Sequence, residues 1–218
     1  MTVPQGKHVY VTFNDRCIYT YDEVDMSALQ PTKHEEADTR LFLHVADAVY
    51  SGHKSVLIRT TDSDVVVIAV HVITHMKNKI EELWIAFGSG RSFHYIPVHT
   101  TANNLDPSKS LALPAFHALT GCDTVSAFFG KGKKSAFSVW QTYPELTLPL
   151  QLLAGPCPTV EMVERHLPRL EMFAVRLYGL NEEQASSVDE ARLYLIKHQG
   201  KSFDKMPPSS DAFYQHIL

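Results

Sequence analysis

Apolar residues along the first half of the chain follow two periods, about two and about 3.6 residues, and the period changes at turn signals. His8–Phe13 and Cys17–Tyr21 are rich in β-branched and aromatic residues and flank Asn14-Asp15-Arg16, which predicts a hairpin. Residues 22–33 are polar, contain Pro31 and read as a loop. From Glu35 to Tyr50, apolar positions at 37, 41, 45, 48 and 49 form a helical stripe that Gly52 ends. Ser55–Thr60 reads as a buried strand. The β-branched run Val65–Val70 would suit a strand, but His71–Lys77 continues it without a turn signal. A helix over 65–76 is therefore predicted, capped by Asp62 or Ser63. Glu82–Phe87 is a further strand, Gly88-Ser89-Gly90 a tight turn, and Ser92–Val98 a strand pairing back. Thr100–Leu105 and Ser110–Thr120 read as short helices, with Pro114 placed near the start of the second because proline lacks an N–H. The resulting β-α-β-α-β order predicts an α/β fold, a mostly parallel sheet flanked by helices. Such sheets gather their ligands at the carboxyl ends of the strands.

Beyond Phe128 the pattern becomes all-helical. Gly130-Lys131-Gly132 breaks the chain, and Lys133–Thr142, Glu145–Leu153, Val160–Tyr178, Glu182–His198 and Asp211–Leu218 read as helices. Gly155-Pro156-Cys157-Pro158 and residues 200–210, with Pro207-Pro208, read as loops. Two domains follow: residues 1–127, an α/β domain, and residues 128–218, a helical extension opening with the Gly-x-Gly loop.

Composition narrows the class. A chain of 218 residues, 44% hydrophobic and 20% charged, can bury a core without disulfides or metals to staple it. Cys17, Cys122 and Cys157 are odd in number and form no metal-like spacing, which points to a reducing, intracellular compartment, the nucleus included. Val65–Val70 is far too short to span a bilayer, and no charged-then-apolar leader is visible at the start, so no membrane partner is expected. A net charge of −4 argues against wholesale nucleic-acid coating but leaves room for a local basic patch; Lys131, Lys133 and Lys134 form the dense one. His71 and His75 stand at i, i+4, but no glutamate lies between them as a metalloprotease helix requires, so a half-exposed helix face is the plainer reading.

Acidic residues fall in three clusters: His34-Glu35-Glu36-Ala37-Asp38, Thr61-Asp62-Ser63-Asp64 and Thr120-Gly121-Cys122-Asp123. The first opens a helix, the second joins a strand to a helix, and the third ends an apolar stretch. Carboxylates brought together at the rim of a core repel unless a cation neutralises them. Hard oxygen donors suit Mg²⁺ or Mn²⁺, and one or two such ions serve phosphodiester hydrolysis. Against this, acids at helix starts are common because they complement the helix dipole, and Asp62 or Asp64 alone reads equally as a cap.

In this order, Glu36-Ala37-Asp38, a strand followed by Asp62-x-Asp64, Gly121-Cys122-Asp123, and Gly130-Lys131-Gly132-Lys133-Lys134-Ser135-Ala136 resemble the flap endonuclease and 5′-exonuclease branch of the PIN-like nucleases. The resemblance covers residues 35–140. It implies a PIN-like fold, a metal-dependent phosphodiesterase acting on branched or single-stranded DNA ends, and Glu36, Asp38, Asp62, Asp64 and Asp123 as its catalytic acids. Asp38, Asp62, Asp64 and Asp123 would hold the metal, with Glu36 acting through water. Gly130, Lys131, Gly132, Lys133 and Lys134 would form a nucleic-acid phosphate loop. The family's N-terminal strand with a further metal aspartate has no match before residue 35, and Asp15, in a turn, does not supply it. The chain therefore resembles part of a nuclease domain.

Two rival readings stay open. The acids are relics in a catalytically inactive binding or scaffold protein, or the chain is a nucleotide-handling α/β enzyme, for which no P-loop and no nucleophile stand out. Around the acids, Arg59 would steady a carboxylate or touch a phosphate, and Arg40 would make a surface ion pair. Phe128, Phe129, Phe137 and Trp140 read as core beneath the Gly-x-Gly turn, and His117 and Cys122 as packed residues.

Overall fold

A computed structural model describes residues 7–13, 16–19, 27–29, 37–123, 125–200, 202 and 205–218. Two compact units divide at Thr101 and Ala102. In the first, β1 (Tyr10–Phe13) and β2 (Arg16–Tyr19) pair antiparallel as a separate two-stranded sheet, the predicted hairpin. Its turn residue Asp15 lies outside the described residues. Helix α1 (Ala37–Tyr50) buries Phe42, Val45 and Val49 on one stripe. Its predicted first residues, Glu35 and Glu36, also lie outside the described residues.

The main sheet has the order β3-β4-β5, from β3 (Ser55–Thr60), β4 (Glu82–Phe87) and β5 (His94–Pro97). β3 and β4 run parallel, with α2 (Ser63–His75) as their crossover, and β5 returns antiparallel to β4. The α/β class is as predicted, but the sheet is small and mixed rather than mostly parallel. The cause is the short link after β4. Gly88 has φ +80° and a Cβ there would come within 2.7 Å of the Ser92 carbonyl oxygen, so the chain doubles back instead of crossing over. Ile58, Ile85 and Ile96 align across the three strands, and Ile58 and Ile85 are buried. Val65, Ala69, Val70 and Ile73 of α2 are buried too, which settles the ambiguous β-branched run as a helix. Burial at i, i+4, i+5 and i+8 is a helical face, and packing overrides the strand propensity of valine.

The second unit is helical. It follows α3 (Val98–Asn104), which spans the division, and contains α4 (Pro107–Leu119), α5 (Lys133–Thr142), α6 (Thr147–Leu153), α7 (Val160–Leu177), α8 (Val188–Gln199) and α9 (Ser210–Ile217). Its core joins Phe116 and Leu119 of α4 to Trp140, Leu150, Phe173, Leu195 and Phe213. Trp140 is fully buried, lies 4.8 Å from Phe116 in a stacked arrangement and donates its indole N–H to Thr147 Oγ1. Helix α4, read from the sequence with the α/β half, thus packs inside the helical unit.

Pro114 lies in mid-helix, not near its start. The start is fixed instead by Pro107 in the first turn and by Asp106, whose carboxylate accepts from the Ser108 and Lys109 amides. Helix α8 begins at Val188 rather than Glu182, because Asn181 and Gln184 exchange backbone and side-chain hydrogen bonds in a turn and Ser187 caps at Glu190 N. Among the described residues, no helix is long and apolar enough to cross a membrane.

Candidate functional site

At the carboxyl end of β3, the chain bends through a relay of short hydrogen bonds. The Asp62 amide donates to Thr60 Oγ1 at 3.0 Å, and Asp62 Oδ1 accepts from the Asp64 amide at 2.8 Å. Asp62 is thus the N-cap of α2, with extended backbone at φ −95° and ψ 131°. Asp64 follows in the first turn, where the helix dipole favours negative charge. Both aspartates are half-buried, at the sheet edge where α/β proteins bind ligands. Asp38, also half-buried, sits in the first turn of α1. Glu36 lies outside the described residues.

Among the described residues Arg59 makes no ion pair: its guanidinium donates to the Thr60 and Ala86 carbonyls and lies 5.2 Å from the centre of the Phe93 ring. Arg40 is not a surface residue either. It is 7% exposed and donates through Nη2 to the Leu29 carbonyl, while Nε and Nη1 find no partner among the described residues. Its charge is felt nearby. Burial and Arg40 together push the His44 imidazole below its ordinary value, whereas burial pushes the Cys17 thiol up against the opposing pull of Arg40.

Asp123 belongs to the helical unit. Helix α4 ends at Thr120, whose hydroxyl donates back to the Phe116 carbonyl at 2.7 Å. Gly121 then takes φ +95°, and a Cβ on it would lie 2.4 Å from Ala127 Cβ. Only glycine allows this turn and this approach. Cys122 pairs with Val125 in an isolated antiparallel bridge, which sets the exposed Asp123 in the tight turn between them.

The Gly-x-Gly loop distributes its lysines unevenly. Gly130 has φ +67°, and Gly132 precedes α5 as its N-cap. Lys131 Nζ sits 4.9 Å from the centre of the Tyr178 ring. Lys133 Nζ donates to the His117 carbonyl at 2.8 Å, to Thr120 Oγ1 at 3.1 Å and to the Gly121 carbonyl. That ammonium is directed to protein oxygens, not held out for phosphate. Lys134 is exposed on the first turn of α5. Phe128 and Trp140 are core as predicted, but Phe129 is 59% exposed.

Among the described residues, no group of three or more His, Cys, Asp and Glu side chains is placed to hold a metal ion. Asp38, Asp62 and Asp64 do not form such a group, and neither do His71 and His75, whose rings meet edge-on at 4.9 Å. The donor chemistry suits Mg²⁺ or Mn²⁺, but the described carboxylates do not by themselves make the site.

Two contacts had no signal in the sequence. One is the Lys133 anchor. The other is His216 of α9: Nε2 donates to the Leu119 carbonyl at 2.9 Å, and Nδ1 is hydrogen-bonded with Ser126 Oγ at 2.8 Å. Its ends are ninety residues apart in the chain. The chain matches no family model, no curated protein and no solved structure.

Proposed function

We propose that this chain carries the acidic and phosphate-loop portion of a metal-dependent phosphodiesterase that cleaves DNA. The observation that supports it is the Asp62–Asp64 pair, held at the carboxyl end of a parallel strand by the Thr60–Asp62–Asp64 relay. Asp38 and Asp123 are the further metal carboxylates in this reading, and Glu36 supports them through water. A bound Mg²⁺ or Mn²⁺ would supply charge neutralisation and an activated water. The amides at the start of α5, with Gly130, Gly132 and Lys134, are suited to a backbone phosphate, since a helix N-terminus attracts anions. The test is cleavage of branched and single-stranded DNA with Mg²⁺ or Mn²⁺. Asp62→Asn combined with Asp64→Asn should abolish cleavage while the fold is kept, and unchanged cleavage in that double variant overturns the assignment.

A second reading is favoured by one specific observation. The described residues assemble no three-donor group, while the Asp62 carboxylate already caps α2. On this reading the chain is an inactive binding or scaffold protein that keeps the acids for their structural work. Calorimetry separates the two: the phosphodiesterase binds Mn²⁺, and the scaffold does not.

A further inference from the structure

The last carbonyls of an α-helix lack intrahelical donors and carry the negative end of the helix dipole. At the end of α4 the Phe116 carbonyl is met by the Thr120 hydroxyl and the Leu119 carbonyl by His216, and the His117 carbonyl draws a side chain from the next helix. Lys133, the first residue of α5, gives its ammonium to the His117 carbonyl, Thr120 Oγ1 and the Gly121 carbonyl. An ammonium has three protons, and here three oxygens accept them. The position is otherwise unfavourable, because a cation at a helix N-terminus opposes the dipole of its own helix. The contact at α4 offsets that cost. It also closes the base of the loop 121–132, so the turn carrying Asp123 is held at Gly121 from two sides. Gly121 packs on Ala127 at one side, and the Gly121 carbonyl is bonded to Lys133 at the other.

We infer that Lys133 is a positioning residue, which fixes the Gly121–Asp123 turn and so orients the Asp123 carboxylate, and is not a phosphate ligand. The part concerning Asp123 rests on the phosphodiesterase reading; the part concerning the turn does not. Lys134, exposed like Lys133, keeps the phosphate role. Positioning groups of this kind change metal affinity by about ten- to a hundredfold when removed.

The experiment compares wild type, Lys133→Ala and Lys134→Ala in the full chain. In the metal-free protein, amide exchange at residues 120–123 should rise at least about tenfold in Lys133→Ala. Ethylammonium should restore it. Tetramethylammonium, with the charge but no N–H, should not. The Mn²⁺ midpoint of DNA cleavage should rise about ten- to a hundredfold in Lys133→Ala, with the rate at saturating Mn²⁺ kept. The salt dependence of oligonucleotide binding should be unchanged in Lys133→Ala and should lose about one unit of log–log slope in Lys134→Ala.

Unchanged exchange at 120–123 overturns the inference, and so does a slope lowered by Lys133→Ala, which would place its ammonium on a phosphate. Exchange that rises with no change in the Mn²⁺ midpoint overturns the link to Asp123. Wild type that cleaves nothing with Mn²⁺ is a failure of the phosphodiesterase reading, and the exchange and rescue measurements then decide the hold on the turn alone. Lys133→Gln, one bond shorter but with two N–H donors, repeats every measurement if the alanine variant does not fold.

Discussion

Replacing Asp62 separates a structural task from a chemical one, because asparagine and alanine fail in different ways. Asp62 Oδ1 accepts the Asp64 amide at 2.8 Å and starts a helix that buries Val65, Ala69, Val70 and Ile73. Asparagine offers the same oxygen in the same place and is as good an N-cap as aspartate. It loses only the charge–dipole contribution, about 0.3–1 kcal/mol at an exposed site and up to about 2 kcal/mol at a partly buried one. Alanine loses that and the cap hydrogen bond, which costs about 0.5–2 kcal/mol, typically about 1. The expected gap between Asp62→Ala and Asp62→Asn is thus about 1 kcal/mol, or about fivefold in the opening of α2.

The assay is hydrogen exchange resolved to α2 peptides, since the two compact units can open separately. Cleavage of DNA with Mn²⁺ is measured on the same samples. If Asp62 also ligates a metal, both variants lose cleavage alike, by more than about the hundredfold that loss of a supporting partner costs. If Asp62 only caps, Asp62→Asn keeps wild-type cleavage and shows only the charge–dipole loss in the opening of α2. Equal opening of α2 in the two variants refutes the capping argument, whatever cleavage does.

Gly121→Ala should destabilise the helical unit by about 1–3 kcal/mol through backbone strain, and further through the 2.4 Å approach to Ala127. Gly130→Ala, with φ +67° but open space around it, should cost only about 1–2 kcal/mol; equal denaturant midpoints for the two variants refute the close-packing argument. Glu171 is 8% exposed, and Oε1 has no partner among the described residues. Burial raises its carboxyl above the ordinary value, Asp189 adds to the rise and the Ser210 hydroxyl opposes it. A raised folded value means that the stabilising contribution is complete below the ordinary carboxylate range and is lost as pH rises through the raised value. Glu171→Gln should therefore match wild type in melting temperature at about pH 4 and exceed it near about pH 7, and a difference that does not vary with pH sinks the argument.

What the sequence made legible was local. The switch of period at Gly52 and again at Asp62 gave α1, β3 and α2, and Asp62 could be named as a cap because capping uses residues two positions apart. Position along an element was harder. Pro114 sits in the middle of α4 because that helix is anchored from both sides, by Pro107 and Asp106 at its start and by Phe116 on Trp140 further along, and tertiary packing tolerates the missing N–H. Burial was harder still. Arg40 is of a type found mostly at surfaces, yet it is internal and bonded to the carbonyl of Leu29 in the turn at Ser27–Leu29. For the candidate site, the acids were visible in the sequence, but among the described residues they form no group of three placed to hold a metal. Lys133 illustrates the limit: a lysine after Gly-x-Gly suggests a phosphate ligand, yet its acceptors lie 12–16 residues back, and two of the three are backbone carbonyls that every sequence possesses.

The end of β3 also constrains what a metal there must overcome. A helix N-terminus is worth about half a positive charge, which attracts anions and repels cations. Asp62 and Asp64 together bring two negative charges, so the pair and the dipole leave a net of about −1.5 for an incoming ion. One carboxylate oxygen of Asp62 already accepts the Asp64 amide, but a carboxylate has a second oxygen and about four lone-pair sites, so capping and metal binding are compatible. What is not compatible is tight binding by this pair alone, because Mg²⁺ and Mn²⁺ bind through several oxygens and the dipole weakens the two on offer. On the phosphodiesterase reading further carboxylates are therefore required, and Glu36, Asp38 and Asp123 are those that the sequence order proposes. Mn²⁺ affinity should then fall on removal of any one of Asp38, Asp64 or Asp123, not of Asp64 alone. Affinity lost only in Asp64→Asn would mean that the strand end works without the other two clusters, and their ordered spacing would no longer speak for a phosphodiesterase.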